Sequence, residues 1–246
     1  MQKPEKTRVI IARVQPHEVK LNTASGKSYS LDLAGDIITE ETVLKSDGKK
    51  LMFEAREQAN GKVEWNTVDV PRGGTYNVEL SDGTEVFLNA ESILRFPNSF
   101  EEGTCREIWI DGEAYFKVKR DEAHPFVVHT GNIEVEVLGT EFNLQSYNNE
   151  SIVQTTLVSG AVHIEAVKNG DIVSTIKLKP SERAVYDISS GSVSIATVNT
   201  EYDTAWKEGR LMFKDMPIPQ VLKKLSYFYN VRFDVKDSVI NTYRFT

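Results

Sequence analysis

The sequence predicts a mainly β protein, built as a sandwich or a solenoid-like stack of short antiparallel strands and ending in a small, incomplete β-α-β unit. Three observations carry this expectation. Turn-forming pairs recur along the first two hundred or so residues, the segments between them alternate apolar and polar side chains, and a single amphipathic helical stretch stands near the C-terminus.

The turn signals are Asp47–Gly48, Asp82–Gly83, Asp111–Gly112 and Asn169–Gly170, with Ser25–Gly26 and Ser190–Gly191 as weaker members. Such pairs reach the positive φ angles that two-residue hairpin turns require. β-rich stretches follow them, among them "KKLMFEA", "TEVFLN", "EAYFKVK", "DIVSTIKL" and "SVSIATV". In "GEAYFKVK" the residues Ala114, Phe116 and Val118 fall on one face, with Glu113, Tyr115, Lys117 and Lys119 on the other. "NIEVEVLG" repeats the pattern, with Ile133, Val135 and Val137 inward and Glu134 and Glu136 outward. Turn spacing is irregular, so no strict sequence repeat is present, and sandwich and solenoid both stay open.

The texture changes after residue 200. "RLMF" (210–213) reads as a strand, and Pro217 and Pro219 suit the first turn of a helix, where missing N–H groups are not felt. Ile218, Val221, Leu222, Leu225 and Phe228 then form one helical face, with Lys223 and Lys224 off it and Asn230 as the stop. "VRFDV" (231–235) reads as a second strand. The expected division is an N-terminal β segment over 1–66, an all-β domain over 67–200, and the β-α-β unit over 201–246. A unit that small buries its helix and sheet poorly alone, so either the chain stops inside a domain or the unit packs on the β body or on another chain.

Composition excludes several functions. Of the 246 residues, 40% are apolar and 26% charged, which is normal for a soluble globular protein. A net charge of −7 without a basic cluster argues against nucleic acid, whose binding needs Lys and Arg on phosphates. One cysteine, Cys105, allows no internal disulfide and no multi-cysteine metal site, and is expected to be a quiet side chain. No apolar run reaches the length of a membrane helix; "VIIARV" (9–14) is far too short. "MQKPEKTRVIIARVQ" lacks the features of a signal peptide.

The chemistry-bearing residues give no site. The histidines are His17, His124, His129 and His163, and the five-residue separation of His124 and His129 along an extended segment puts them on opposite faces. Glu134 with Glu136, and Glu101 with Glu102, invite a glycosidase reading, but such pairs need one shielded carboxyl, and these read as solvated faces. No nucleophile elbow, phosphate loop or zinc-protease motif is present. "PRGGTYN" (71–77) reads as a loop before a strand. In "LSDGTEVFLNAESILRFP" (80–97), Asp82 reads as a hairpin turn, and Asn89 and Ser92 as turn-makers at the far end of the strand. No catalytic residue, metal ligand or cofactor site is expected.

At this point the residues resemble a family. "VPRGGTYNVELSDGTEVFLNAESILRFPNSF", "REIWIDGEAYFKVKRDEAHPFVVHTGNIEVEVLGTEFNLQSY", "TTLVSGAVHIEA" and "LKPSERAVYD" resemble, in order and spacing, the FecR domain of transmembrane anti-sigma regulators. "VKLNTASGKSYSLDL" and "ITEETVLKSDGKKLMFEA" resemble the added N-terminal β segment of the Bacteroidetes branch. "WKEGRLMFKDMPIPQVLKKLSYFYNVRFDV" is similar to the first half of the following domain, which is related to the STN fold of secretins and TonB-dependent transporters.

The resemblance implies a soluble periplasmic fragment of a single-pass protein at the inner membrane, with its membrane helix and cytoplasmic sigma-binding part outside this sequence. It also implies a relay. The signalling domain of a TonB-dependent (SusC-like) transporter would contact the periplasmic region, and an ECF sigma factor would be regulated inside the cell. No enzyme activity and no cofactor follow from the family. Strand addition at "RLMF" and "VRFDV" would give a partner its ladder, with Arg210, Met212, Arg232 and Asp234 pointing outward. The alternative is a carbohydrate-binding or adhesive β-sandwich module. Its sugar platform would need Trp65, Trp109 and Trp206, which are scattered in sequence and form no evident stripe.

Overall fold

The computed structural model describes residues 9–13, 18–38, 42–55, 62–168, 171–235, 240 and 242–246. His17, Val14 and the Asn169–Gly170 pair lie outside the described residues. The strands of the N-terminal part are β1 (Val9–Arg13), β2 (Lys20–Asn22), β3 (Ser28–Ser30), β4 (Ala34–Ile38), β5 (Thr42–Asp47) and β6 (Lys50–Ala55). Next come β7 (Trp65–Val70), β8 (Tyr76–Glu79), β9 (Glu85–Leu88), β10 (Ser92–Pro97), β11 (Arg106–Lys117), β12 (Phe126–His129) and β13 (Ile133–Val137). They continue with β14 (Glu141–Ser146), β15 (Ile152–Ser159), β16 (Val162–Lys168), β17 (Asp171–Leu178), β18 (Glu182–Asp187) and β19 (Val193–Thr197). The C-terminal unit holds α1 (Glu201–Thr204), a 3-10 turn (Ala205–Glu208), β20 (Met216–Pro217), α2 (Ile218–Phe228), β21 (Val231–Val235) and β22 (Arg244–Phe245).

Two ladders face each other. The first runs β3-β2-β7-β10-β11-β12-β13-β16-β17. The second runs β4-β5-β6-β8-β9-β11-β14-β15-β18-β19. From β12 onward the chain lays down two strands in one sheet and then two in the other. The body is therefore a sandwich made by winding, and both expected architectures describe part of it. Among the described residues, all strand pairs are antiparallel except β6 with β8 and β11 with β12. One hydrophobic cluster fills the space between the sheets and takes Leu21, Leu44 and Leu51 from the N-terminal segment as well as Phe96, Phe116, Phe126 and Phe142. The predicted inward sets, Ala114 with Phe116 and Ile133 with Val135 and Val137, all lie in it.

Strand β11 belongs to both sheets. Trp109–Asp111 pair with β10 in the first sheet, and Gly112–Lys117 pair with β14 in the second. The crossing falls at Gly112, whose φ is +125°. A Cβ there would sit 2.3 Å from Ser92 Oγ and 2.6 Å from Ser92 Cα. The pair Asp111–Gly112 is thus no hairpin turn, as the sequence reading had it, but the point where one strand changes sheets. Asp47–Gly48, Asp82–Gly83 and Ser190–Gly191 do sit in turns, with positive φ at each glycine.

The C-terminal unit also departs from expectation. Residues 210–213 form no strand. The strand before the helix is the short β20, paired with β22. The edge of β21 is taken on one side by β1, from Val9 opposite Val235 to Arg13 opposite Val231. The N-terminus thus returns to complete the C-terminal unit. Among the described residues, no helix is long and apolar enough to cross a membrane.

Gly112→Ala is expected to lose about 3 kcal/mol or more, since a positive φ and a clash with a fully buried serine add together. Gly83→Ala, where φ is +84° but an added Cβ meets nothing within 4 Å, should lose only about 1 kcal/mol. Urea unfolding of the two variants would check the ranking.

Candidate functional site

The two ends of the motif at 80–97 do different work. At Asp82 the carboxylate accepts from Thr84 N (2.9 Å) and Thr84 Oγ1 (2.7 Å), which closes the turn predicted there. It also accepts from Arg106 Nη1 at 2.5 Å. That guanidinium is buried, its side chain 5% exposed, and it donates further to the carbonyls of His124 and Lys119. The sequence reading found the turn and missed the ion pair, because the pairing joins residues 24 apart across the body.

At the far end, Asn89 and Ser92 clamp the strand crossing. Ser92 Oγ donates to Glu113 O and accepts from Glu113 N. The Glu113 carboxylate accepts from Asn89 Nδ2 (2.7 Å) and Asn143 Nδ2 (2.9 Å). Asn143 Oδ1 in turn accepts from Trp206 Nε1 at 3.0 Å. Beside this chain, Asp203 at the start of the C-terminal unit accepts from Thr156 Oγ1 (2.8 Å) and Gln154 Nε2 (3.1 Å) and pairs with Arg183 at 3.4 Å. Alternation explains the placement: Glu113, Asn143, Gln154 and Thr156 point away from the core on adjacent strands, and the segment over 201–208 covers them. Burial pushes the Glu113 carboxyl above its ordinary range, against the pull of Lys224 and the two amide donors.

Helix α2 roofs the rest of this face. Its anchor is Tyr227, whose ring lies 5.4 Å from Tyr147 and carries the Arg72 guanidinium at 4.8 Å. Its carbonyl accepts from Gly73 N at 2.7 Å. Lys223 Nζ reaches Glu150 Oε1 at 2.7 Å. Tyr147 is held from below by its hydroxyl, which donates to Ala90 O. The loop "PRGGTYN" is therefore a loop, as expected, and it is also where the helix docks. A cavity of about 340 Å3 remains between sheet and roof, lined by Glu113, Gln145, Gln154, Trp206, Met212 and Lys224 among others.

Of the four residues expected to meet a partner, Arg210 and Met212 line this cavity. Arg210 is also held in ion pairs with Glu201 and Glu208. Arg232 and Asp234 lie elsewhere, exposed on β21. The structure does not bring the four together on one edge.

The other candidates stay apart from the cavity. His124 Nδ1 pairs with Asp121, while His129 stacks on Trp109 with ring centroids 4.6 Å apart. Cys105 is exposed and free. Trp65 and Trp109, scattered in sequence, meet edge-to-face at 4.9 Å on the outer side of the first sheet, and Arg95 lies over both rings. Arg95 and His129 occupy the faces a sugar platform would need. Trp206 is buried in the network instead.

Fold and cleft define a class: a two-sheet β body with an α/β cap docked over the outer face of one sheet. The family model described as FecR protein matches residues 66–163, and the one described as FecR, C-terminal matches 210–246. The chain is similar to two crystal structures of a candidate anti-sigma factor from Parabacteroides distasonis ATCC 8503. One is 32% identical over 68% of this chain and 75% of that chain, with a TM-score of 0.62. The other is 33% identical over 67% and 74%, with a TM-score of 0.61. No curated protein sequence matches it. The chain belongs to the FecR family of anti-sigma factors.

Two outcomes follow from the buried groups. Asp82→Ala strands a buried guanidinium and is expected to lose about 3 kcal/mol in urea unfolding. The second concerns pH. Folding raises the Glu113 value above the ordinary one near 4.5, so the native state holds that proton more tightly than the unfolded chain. Its contribution is fully present below the ordinary value and is lost as pH rises through the raised one. The stability of wild type relative to Glu113→Gln should therefore fall as pH rises above the ordinary value, and a flat difference across urea midpoints would contradict it.

Proposed function

We propose that this chain is the periplasmic sensor and relay region of an anti-sigma factor. In this reading it receives a signal from the signalling domain of a TonB-dependent outer-membrane transporter and regulates an ECF sigma factor through a cytoplasmic part outside this sequence. It sits at the periplasmic face of the inner membrane and catalyses nothing. Strands β2 to β19 form the fixed body, and 201–246 together with β1 form the part that meets the transporter.

The observation that carries the reading is the cap. It matches the family's C-terminal model, it rests on the body through one aromatic anchor and a polar network, and it leaves the charged side of β21 exposed. One edge of β21 is occupied by β1, so a partner strand would add on the other edge, beside Arg232 and Asp234. Arg210 and Met212 would then act on the inner side of the cap, through the cavity.

A calorimetric titration against the signalling domain of the neighbouring transporter tests this. A one-to-one complex is expected, weakened at least about tenfold, or roughly 1.4 kcal/mol, by the double reversal Arg232→Glu with Asp234→Lys. Cys105→Ser should leave it unchanged. Absence of a complex would sink the relay, whereas a complex indifferent to the reversal would move the contact off β21.

A further inference from the structure

The relay as proposed assigns the cavity under the cap no ligand, and its volume of about 340 Å3 falls within the range of small-ligand sites. Most of its charges are already matched. Asp203 is taken by Arg183, Glu150 by Lys223, and Arg210 by Glu201 and Glu208. Glu113 and Lys224 act on each other within the same space. Lys224 makes no ion pair among the described residues, so an ionic ligand would meet one unmatched cation and no cluster of either sign.

What the walls leave open is neutral hydrogen-bonding capacity. Gln145 and Gln154 donate through Nε2 to Glu150 and Asp203, and their carbonyl oxygens accept nothing among the described residues. Gln220 on α2 makes no side-chain hydrogen bond among the described residues. An amide side chain carries acceptor and donors in one plane, which suits a ligand whose groups both donate and accept. Alcohol hydroxyls are such groups. Beside Asn89, Asn149 and Ser151, the remaining walls are aromatic and apolar, with Trp206, Tyr202 and Phe228 supplying rings. Tyr147 and Tyr227 meet at 59°, so they form no parallel slot for a flat heteroaromatic base.

We propose that this cavity binds a neutral polyhydroxylated small molecule, of the chemical class of a mono- or disaccharide. The C–H face of its ring lies against the aromatic wall, and its hydroxyls bond to the glutamine amides of sheet and helix. The site is distinct from the Trp65–Trp109 pair, which lies on the other sheet. Because Gln145 and Gln154 belong to the body and Gln220 and Phe228 to the cap, a bound ligand ties the two together.

The experiment uses the full chain and a panel of glucose, galactose, xylose, N-acetylglucosamine, maltose and cellobiose, read by saturation-transfer NMR and calorimetry. At least one should bind saturably at up to about 20 mM, where a millimolar site is filled. Gln154→Ala and Gln220→Ala should each weaken that binding about fivefold or more, while Trp65→Ala leaves it unchanged. Gln220 is exposed, so its variant keeps the fold, and circular dichroism checks both. No binding across the panel overturns the proposal. So does binding that survives both glutamine variants, binding lost only in Trp65→Ala, or a panel that fails where adenosine or phenylalanine binds.

Discussion

The contact between Gly112 and Ser92 holds the molecule together. One strand serves two sheets only if its backbone turns sharply where it leaves the first, and a positive φ with no side chain allows that turn. The neighbouring strand then closes against the gap. The Ser92 hydroxyl both donates to and accepts from the backbone of Glu113, so the crossing is bonded on both sides and leaves no polar group stranded. Everything further out inherits its position from this point. The Glu113 side chain leaves the crossing on the outer face, and Asn89 and Asn143 orient it; Trp206 completes the line that ties the cap to the body.

That line is costly in isolation. A buried carboxylate is disfavoured by burial, and only its amide donors and the field of Lys224 offset the penalty. A more apolar joint of the same size would hold at least as well. What the polar network adds is geometry, since Trp206 Nε1 and the Asp203 carboxylate each have one set of partners that satisfies them. The cap is seated in one register on the sheet, with α2 fixed separately by Tyr227.

Much of this was legible in the sequence, and the parts that were not share a cause. Alternation placed Ala114, Phe116, Ile133 and Val135 in the core, because period-two patterning reports directly on which face is buried. The turn at Asp82 was legible because its hydrogen bonds reach only two residues along the chain. The burial of the outer face of the second sheet was not legible. Glu113 and Tyr115 stand where alternation points away from the core, yet the cap buries both. Asp111–Gly112 carries the same letters as a hairpin turn, and only its neighbour Ser92 makes it a crossing. The pairing of β1 with β21 spans nearly the whole chain, and no local pattern encodes it. Tyr227 lies off the apolar stripe of its helix, so a search for amphipathic spacing passes over the residue that docks it.

The same polar character bears on how the cap would part from the body. Separating an apolar interface exposes oil to water over its whole area. Separating this one returns Glu113, Asp203 and Arg183 to a solvent that welcomes them, so part of the lost bonding is recovered by hydration. The apolar share of the joint is small and concentrated in Ala90, Tyr147 and Tyr227. A partner that competes for the cap therefore has to overcome a single aromatic anchor plus bonds that water can replace. A relay working by contact needs a joint of that kind, specific when closed and only moderately costly to open.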